Sequence, residues 1–240
     1  MGPSDAFEFP DVRTANADGV LAVGGNLSPG MLLSAYRQGV FPWFSDGDPV
    51  LWWSPDPRFV VFLSELHVSR TTRRIVRQRR FRVTIDTAFG DVIRACAAAP
   101  RIGQRGTWIT DDMIGAYTTL HELGYAHSCE SWRDDQLVGG IYGVGLGRMF
   151  FGESMFSSES NASKIAFTVL AGHLRRSGCE LIDAQVYTPH VSRLGGREIP
   201  RAEFIRAIAE QIAREPLSWS PGELDPSVVE SAVADELAED

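Results

Sequence analysis

The sequence predicts an α+β (mixed α/β) fold in which a small N-terminal domain precedes a larger one, and three observations predict it. Helical and strand-like stretches alternate over the C-terminal part of the chain, the pattern of a mixed or mostly antiparallel sheet covered by helices. Residues 1–62 differ from the rest: they are rich in Gly, Pro and Trp and carry one short helical stretch. The 240 residues are 44% hydrophobic, ample for a substantial core, and show no internal repeat. The boundaries expected from these shifts are 1–62 for the small domain, 63–216 for the larger one and 217–240 for an acidic tail.

Each element has a local reason. Ser28 followed by Pro29 is an N-cap with proline in the first turn. Met31, Leu32, Ala35 and Tyr36 follow at helical spacing until Gly39 supplies a stop. A second helix starts at Thr110, with Asp111 and Asp112 suited to its dipole, and ends near Gly124. A third is expected from Asn161 to Arg176, with Gly178 past its end, and a fourth after Pro200 carries Phe204, Ile205, Ile208 and Ile212 on one side. Strands are expected over Ala126–Trp132, Leu137–Tyr142 and Met149–Phe151, the last two separated by a glycine-rich link. Glu180–Tyr187 alternates as a further strand and sets Asp183 and Gln185 on one face.

The formal net charge of -8, from 23 basic and 31 acidic side chains, argues at first against a nucleic-acid partner. Its distribution reverses that argument. Seven acids (Glu223, Asp225, Glu230, Asp235, Glu236, Glu239 and Asp240) fall in the last stretch with no base among them, so it is expected to be a solvated extension outside the core. On that expectation, deleting the residues after Pro221 leaves the activity largely intact. Between Leu66 and Ile85 there is no acid, while Arg70, Arg73, Arg74, Arg77, Arg79, Arg80 and Arg82 crowd together. If Ser69–Arg80 is helical, Arg70, Arg73, Arg74 and Arg77 form one stripe and Ile75 and Val76 face the protein. Like charges in such a stripe repel, which favours a phosphate-bearing partner over a merely solvated face.

Other classes fall away. No apolar run approaches the roughly 20 residues of a membrane span, and Met1–Pro10 lacks the basic start and apolar stretch of an export signal. Cys96, Cys129 and Cys179 are odd in number and far apart, so neither a disulfide framework nor a zinc site is expected, and a reducing cytoplasm fits. The glycine-rich run Gly139–Gly147 matches neither a P-loop nor a dinucleotide fingerprint. Ile141 also breaks the pyrophosphate signature of coenzyme A acetyltransferases. Glycines in strands fit a close approach of backbone or ligand, as in a channel wall.

Three further segments can carry chemistry. Phe41-Pro42-Trp43-Phe44 and Leu51 through Arg58 concentrate aromatic rings that either fill the space between the two domains or line a pocket. Glu153, within the aromatic run Met149–Phe156, is either desolvated or meets a cation, which makes it a site candidate. Lys164 sits in the first turn of the third helix, where the dipole disfavours it, so either an ion pair or a phosphate is its expected partner. Asp183 and Gln185 either cap neighbouring backbone or, side by side in a cleft, orient an amine and accept its proton; His190 ranks below Asp183 as a base.

Together these segments resemble the bacterial leucyl/phenylalanyl-tRNA-protein transferase family. The resemblance is carried by Asp18 through Gly25 with Leu27-Ser28-Pro29, Gly39 through Phe44, Leu51 through Arg58, Gly106 through Thr110, Leu137 through Gly140, Phe151 through Ser157, Asn161 through Lys164, and Leu181 through Gln185. It implies an enzyme that moves Leu or Phe from Leu-tRNA or Phe-tRNA to acceptor proteins with N-terminal Arg or Lys, creating a degradation signal. It also implies a C-terminal domain similar to the acetyltransferase (GNAT) fold, without acetyl coenzyme A, and the need for no cofactor, metal or membrane. Carried over by position, the aminoacyl pocket falls on Trp43, Trp108, Phe150 and Ile182, with Glu153 at its mouth. Leu170 and Leu174 stand at pocket positions where relatives are expected to carry aromatic residues. The catalytic pair falls on Asp183 and Gln185, and tRNA-binding residues on Arg70, Arg73, Arg74, Arg77 and Arg80. Asn26 stands where an aspartate is usual.

Overall fold

The computed structural model describes residues 2–100 and 107–229. Along the chain the elements are β1 (Val20–Val23), α1 (Pro29–Arg37), β2 (Phe41–Pro42), β3 (Leu51–Trp53), β4 (Arg58–Phe62), α2 (Arg70–Arg77), β5 (Arg82–Ile85) and α3 (Phe89–Ala98). They continue with α4 (Asp111–Glu122), β6 (Ala126–Arg133), β7 (Gln136–Leu146), β8 (Met149–Ser157), α5 (Ala162–Arg176) and β9 (Leu181–Gln185). The last are α6 (Pro189–Ser192), β10 (Arg197–Ile199), α7 (Arg201–Ile212) and β11 (Gly222–Glu223). The protein is a mixed α/β structure with two sheets: a small one in the order β1-β3-β2 and an eight-stranded one in the order β10-β4-β9-β8-β7-β6-β5-β11.

Helices cover both faces of the large sheet because its central strands are apolar on both. Along β7 and β8, Tyr142, Val144, Met149 and Phe151 join a cluster with Leu32 and Tyr36 of α1, Ile93 of α3, Tyr117 of α4 and Phe204 of α7. Their neighbours Ile141 and Phe150 join the opposite cluster, with Ile75 and Val76 of α2 and Ile165, Phe167 and Leu170 of α5. This two-residue alternation is what an extended backbone imposes. Ile75 and Val76 face inward, as their spacing predicts.

Four expectations are corrected. The glycine-rich run is no link: up to Gly145 it lies within β7, between β6 and β8, because glycine lets neighbours come close, and only Gly147 falls in the turn that follows. A Cβ at Gly143 would lie 2.2 Å from the Phe151 carbonyl oxygen, and one at Gly139 would lie 2.6 Å from the Ala162 Cβ at the start of α5. Residues 58–62, placed at the end of the N-terminal domain, form β4 of the large sheet, between β10 and β9. The arginine helix ends at Arg77, Arg79 takes a positive φ, and Arg80 leaves the stripe to pair with Glu159 at 3.1 Å.

Residues 217–229 are not a solvated extension either. Leu217, Leu224, Val228 and Val229 are buried in the α5-side cluster, and β11 pairs with β5, covering an otherwise open sheet edge. Trp219 stacks on His127 with ring centroids 3.8 Å apart. Four buried apolar side chains outweigh the charge that marked this stretch as a tail, and the acids beyond Val229 lie outside the described residues. Truncation after Pro221, which strips Leu224, Val228 and Val229 from the core, is therefore expected to lower the thermal midpoint by roughly 10 °C. Calorimetry of the truncated chain checks this, and an unchanged midpoint contradicts it.

Candidate active site

The site lies where two strands part. β8 and β9 pair in parallel only at Phe150–Ile182 and Phe151–Asp183, after which β8 runs on to Ser157 and β9 to Gln185 without facing each other. Two irregularities accompany the fork. Gly152 stands opposite Gly143 and Ser154 opposite Tyr142, so Glu153 is the extra residue of a bulge in β8. Val60 stands opposite Asp183 and Phe59 opposite Gln185, which makes Ala184 an extra residue in β9. Bulges bend a strand and re-aim side chains. Here they open a cavity of about 630 Å³ between the strands.

Glu153 is 8% exposed and lies among hydrogen-bond donors rather than beside a cation. Its Oε1 accepts from Tyr36 Oη and Gln185 Nε2, each at 2.7 Å, and its Oε2 accepts from Tyr117 Oη at 3.1 Å. The two tyrosine hydroxyl oxygens also meet each other, and with one proton apiece all three contacts are satisfied only when Glu153 itself carries a proton. Burial pushes the Glu153 carboxyl up to about 7. It does so against the bonds from Tyr36, Tyr117 and Gln185, which favour the charged form, while nearby Asp183 adds a smaller upward push. Burial, followed by the charge of Glu153, raises both tyrosines well above the usual phenol range, so both remain donors.

Asp183 is fully buried and takes both of its carboxylate oxygens to one partner: Arg58 Nε donates to Oδ1 at 2.9 Å and Nη2 to Oδ2 at 2.7 Å. Arg58 is fully buried too, its Nη1 donates to the Gly39 carbonyl at 3.2 Å, and its guanidinium lies over the rings of Phe41 and Phe204. Bidentate geometry and two aromatic faces offset part of the desolvation of the pair. Losing one partner from such a pair costs about 3–5 kcal/mol. Asp183 Oδ1 also accepts from the Gln185 backbone N–H at 2.9 Å. The two are thus coupled through backbone, because Gln185 turns to a φ of +65° and its amide side chain goes to Glu153.

Trp43, Trp108 and Ile182 line the cavity with Glu153, Asp183 and Gln185, as carried over from the family; Phe41, Met155 and Phe167 complete its apolar wall. Phe150, Leu170 and Leu174 do not reach it. Phe150 shares the face of Ile141 and Ile182 but is packed into the α5-side core, outside the cavity lining. Leu170 and Leu174 continue the α5 stripe of Ser163 and Phe167, but at 1.5 Å per residue that stripe has left the cavity for the core. His190 lines the cavity, its pKa lowered by burial and then by the charges of Lys164 and Arg193. Lys164 is thus near enough to disfavour a charged His190. Of the arginine stripe, Arg70, Arg74 and Arg77 are exposed, while Arg73 is half-buried with its Nε donating to the Val68 carbonyl.

Sequence reasoning missed Arg58, Tyr36 and Tyr117 as site residues. Arg58 had one available signal, its place at the end of an aromatic-proline motif. The tyrosines read as apolar helix positions and betray their role only through contacts distant in sequence.

Comparison with known proteins gives first the class, an aminoacyltransferase. The family model described as leucyl/phenylalanyl-tRNA protein transferase matches residues 60–209, and the model of that family's N-terminal domain matches residues 25–56. Proteins named leucyl/phenylalanyl-tRNA–protein transferase are similar along nearly their whole length. That of Syntrophus aciditrophicus is 56% identical over 214 residues, 88% of this chain and 90% of the relative. That of Nitrosospira multiformis is 56% identical over 206 residues, covering 85% and 88%. That of Paraburkholderia phytofirmans is 50% identical over 228 residues, covering 91% and 92%. The chain belongs to the leucyl/phenylalanyl-tRNA protein transferase family. Among solved structures, the C-terminal domain (DUF2156) of a putative lysylphosphatidylglycerol synthetase from Agrobacterium fabrum aligns over 86% of this chain and 70% of that one. Its identity of 16% and TM-score of 0.34 are too low to define a fold.

The buried carboxyl makes stability depend on pH. Folded Glu153 holds a proton up to about 7, whereas the unfolded side chain releases it near 4.5. The stabilisation is complete below the lower value and lost as pH rises through the upper one, on the order of 3 kcal/mol in all. Glu153→Gln is expected to remove this component. Urea unfolding across that window reads it, and an unchanged slope rules it out.

Proposed function

We propose that the protein transfers leucine or phenylalanine from aminoacyl-tRNA to the N-terminal Arg or Lys of acceptor proteins, forming a peptide bond and a degradation signal. The family match carries this reading, and the cavity supports it. Its aromatic and aliphatic wall, with Trp43, Trp108, Ile182 and Phe167, suits a Leu or Phe side chain, while Glu153 and Gln185 meet the polar groups at the reacting end. Glu153 attracts the cationic groups of the acceptor, and Gln185 and Asp183 orient its α-amine.

The aminoacyl ester is already activated, so the reaction needs no ATP, metal or other cofactor. The acceptor amine, with an ordinary pKa near 8, has to lose a proton and stand in line with the ester carbonyl. Holding the two reactants in that arrangement supplies much of the acceleration. Gln185 is suited to the task because its amide nitrogen is committed to Glu153, which leaves its oxygen to accept from an amine.

The exposed arginines of α2 are the proposed contacts for the tRNA backbone. The large sheet is proposed to be of the acetyltransferase (GNAT) type. Its support is the single parallel β8–β9 pairing in an otherwise antiparallel sheet, with α5 crossing between the two strands. We place the reaction in the cytoplasm, where charged tRNA is found and the three buried cysteines stay free; no helix among the described residues is long and apolar enough to cross a membrane.

Transfer of radiolabelled leucine from charged tRNA to a peptide beginning with Arg tests the reaction directly, and a peptide with an acetylated N-terminus should remain unlabelled. No labelling of either peptide defeats the reading. Reversing charge at Arg74 and Arg77 should weaken tRNA binding and reduce its salt dependence by roughly one log–log unit for each phosphate no longer neutralised. Filter binding at several salt concentrations measures both.

A further inference from the structure

Arg58 lies outside the reacting cavity, yet the geometry of the site runs through it. Asp183, the obvious candidate for a base, is fully enclosed and both of its oxygens are held by the Arg58 guanidinium. The carboxylate accepts a third bond, at Oδ1, from the Gln185 N–H, and the Val186 N–H closes a tight turn onto the Ala184 carbonyl at 2.7 Å. This turn holds Gln185 at its positive φ, a conformation that few non-glycine residues adopt and that persists only when the surroundings enforce it. The enforced turn carries the Gln185 side chain across the fork to Glu153 Oε1. Both carboxyls border the cavity, but Glu153 is bonded only to neutral donors, whereas both oxygens of Asp183 are held by a guanidinium.

We propose that Arg58 is a positioning residue of the transfer reaction, fixing Asp183 as a rigid anchor for Gln185, and that Glu153 rather than Asp183 takes the proton of the acceptor amine. This deepens the proposed transferase reading and rests on it. The ammonium of the acceptor gives one proton to the Glu153 carboxylate. The freed amine forms the N–C bond as the ester C–O bond breaks, its second proton goes to the departing ribose oxygen, and Glu153 returns its own proton to solvent. One proton is released per peptide bond formed, and no oxidant or further reactant is required.

The surroundings of Glu153 suit this task. Tyr36 from α1 and Tyr117 from α4 face it, with Tyr142 of β7 beside Tyr117. Gln185 and Asp183 face it from β9, with Arg58 of β4 behind Asp183, and His190 from α6 shares the cavity. A carboxyl pushed up to about 7 is matched to accepting a proton near neutrality and releasing it again.

Single-turnover transfer from Leu-tRNA to a saturating Arg-initiated peptide, followed from about pH 6 to 9, separates the roles. Expected for the unmodified protein is an acidic limb near 7. Glu153→Gln should move that limb up toward the value of the acceptor amine itself, near 8. Arg58→Lys, which keeps the charge but loses the fork, should lower the plateau roughly 100-fold without moving the limb and without weakening tRNA binding. Asp183→Asn should lower the plateau likewise, with any movement of the limb downward because a charge that pushes Glu153 up is removed, and it carries the test should Arg58→Lys fail to fold, as judged by melting and tRNA binding. A limb that moves in Asp183→Asn and stays in Glu153→Gln overturns the proposal, as does a full plateau in folded Arg58→Lys. No transfer by the unmodified protein overturns the transferase reading, and this inference with it; transfer with the wrong limb overturns this inference alone.

Discussion

A guanidinium and a carboxylate, both without access to water, hold each other at the centre of this protein. Either charge alone would be among the most costly groups in the interior, and the two are tolerable together because each nitrogen–oxygen distance is short and the planar fork is satisfied on both prongs. The pair also fixes what surrounds it. Through Arg58 it reaches the Gly39 carbonyl, the Phe41 ring and the Phe204 ring of α7. Through Asp183 it reaches the backbone of Gln185. The place where β9 stops being a regular strand is therefore set by an ion pair behind the site, not by any group inside it.

The fork turns that local constraint into a cavity. A parallel pair that continued past Phe151 and Asp183 would close the space with ladder hydrogen bonds and leave no cavity. Instead each strand spends an extra residue at the point of parting, Glu153 on one and Ala184 on the other. The bulge in β8 is possible because position 143 is glycine: any side chain there would collide with the Phe151 carbonyl. A glycine in one strand thus allows a carboxyl in its neighbour to point where it does.

Much of the architecture is legible in sequence because it is written locally. Caps and stops mark α1, α4, α5 and α7, and alternation marks β9, since each signal depends on residues a few positions apart. α3 escapes notice because it starts at Ala88 without a capping side chain and runs through small residues. β4 and β10 are short and their pairing partners are remote, so nothing nearby announces them. In the site, Asp183, Gln185 and Glu153 stand out as polar residues in apolar runs. Their mutual arrangement does not: alternation puts Asp183 and Gln185 side by side, whereas a bulge and a positive φ link them through the backbone. The apolar character of residues 217–229 was present all along but masked by acids around it, and charge counts say little about whether Leu224 or Val229 finds a groove.

The N-terminal sheet and α1 have a bearing on how this family can vary. Residues 25–56 and 60–209 match separate family models, as if two modules had been joined. Yet Tyr36 bonds to Glu153, Gly39 and Phe41 receive Arg58, and Trp43 walls the cavity. The seam between the two regions thus passes through the cavity itself. A change on one side alters the partner that the other side meets, so the two regions form one heritable unit: exchanged between distant relatives, either would bring surfaces made for a different counterpart.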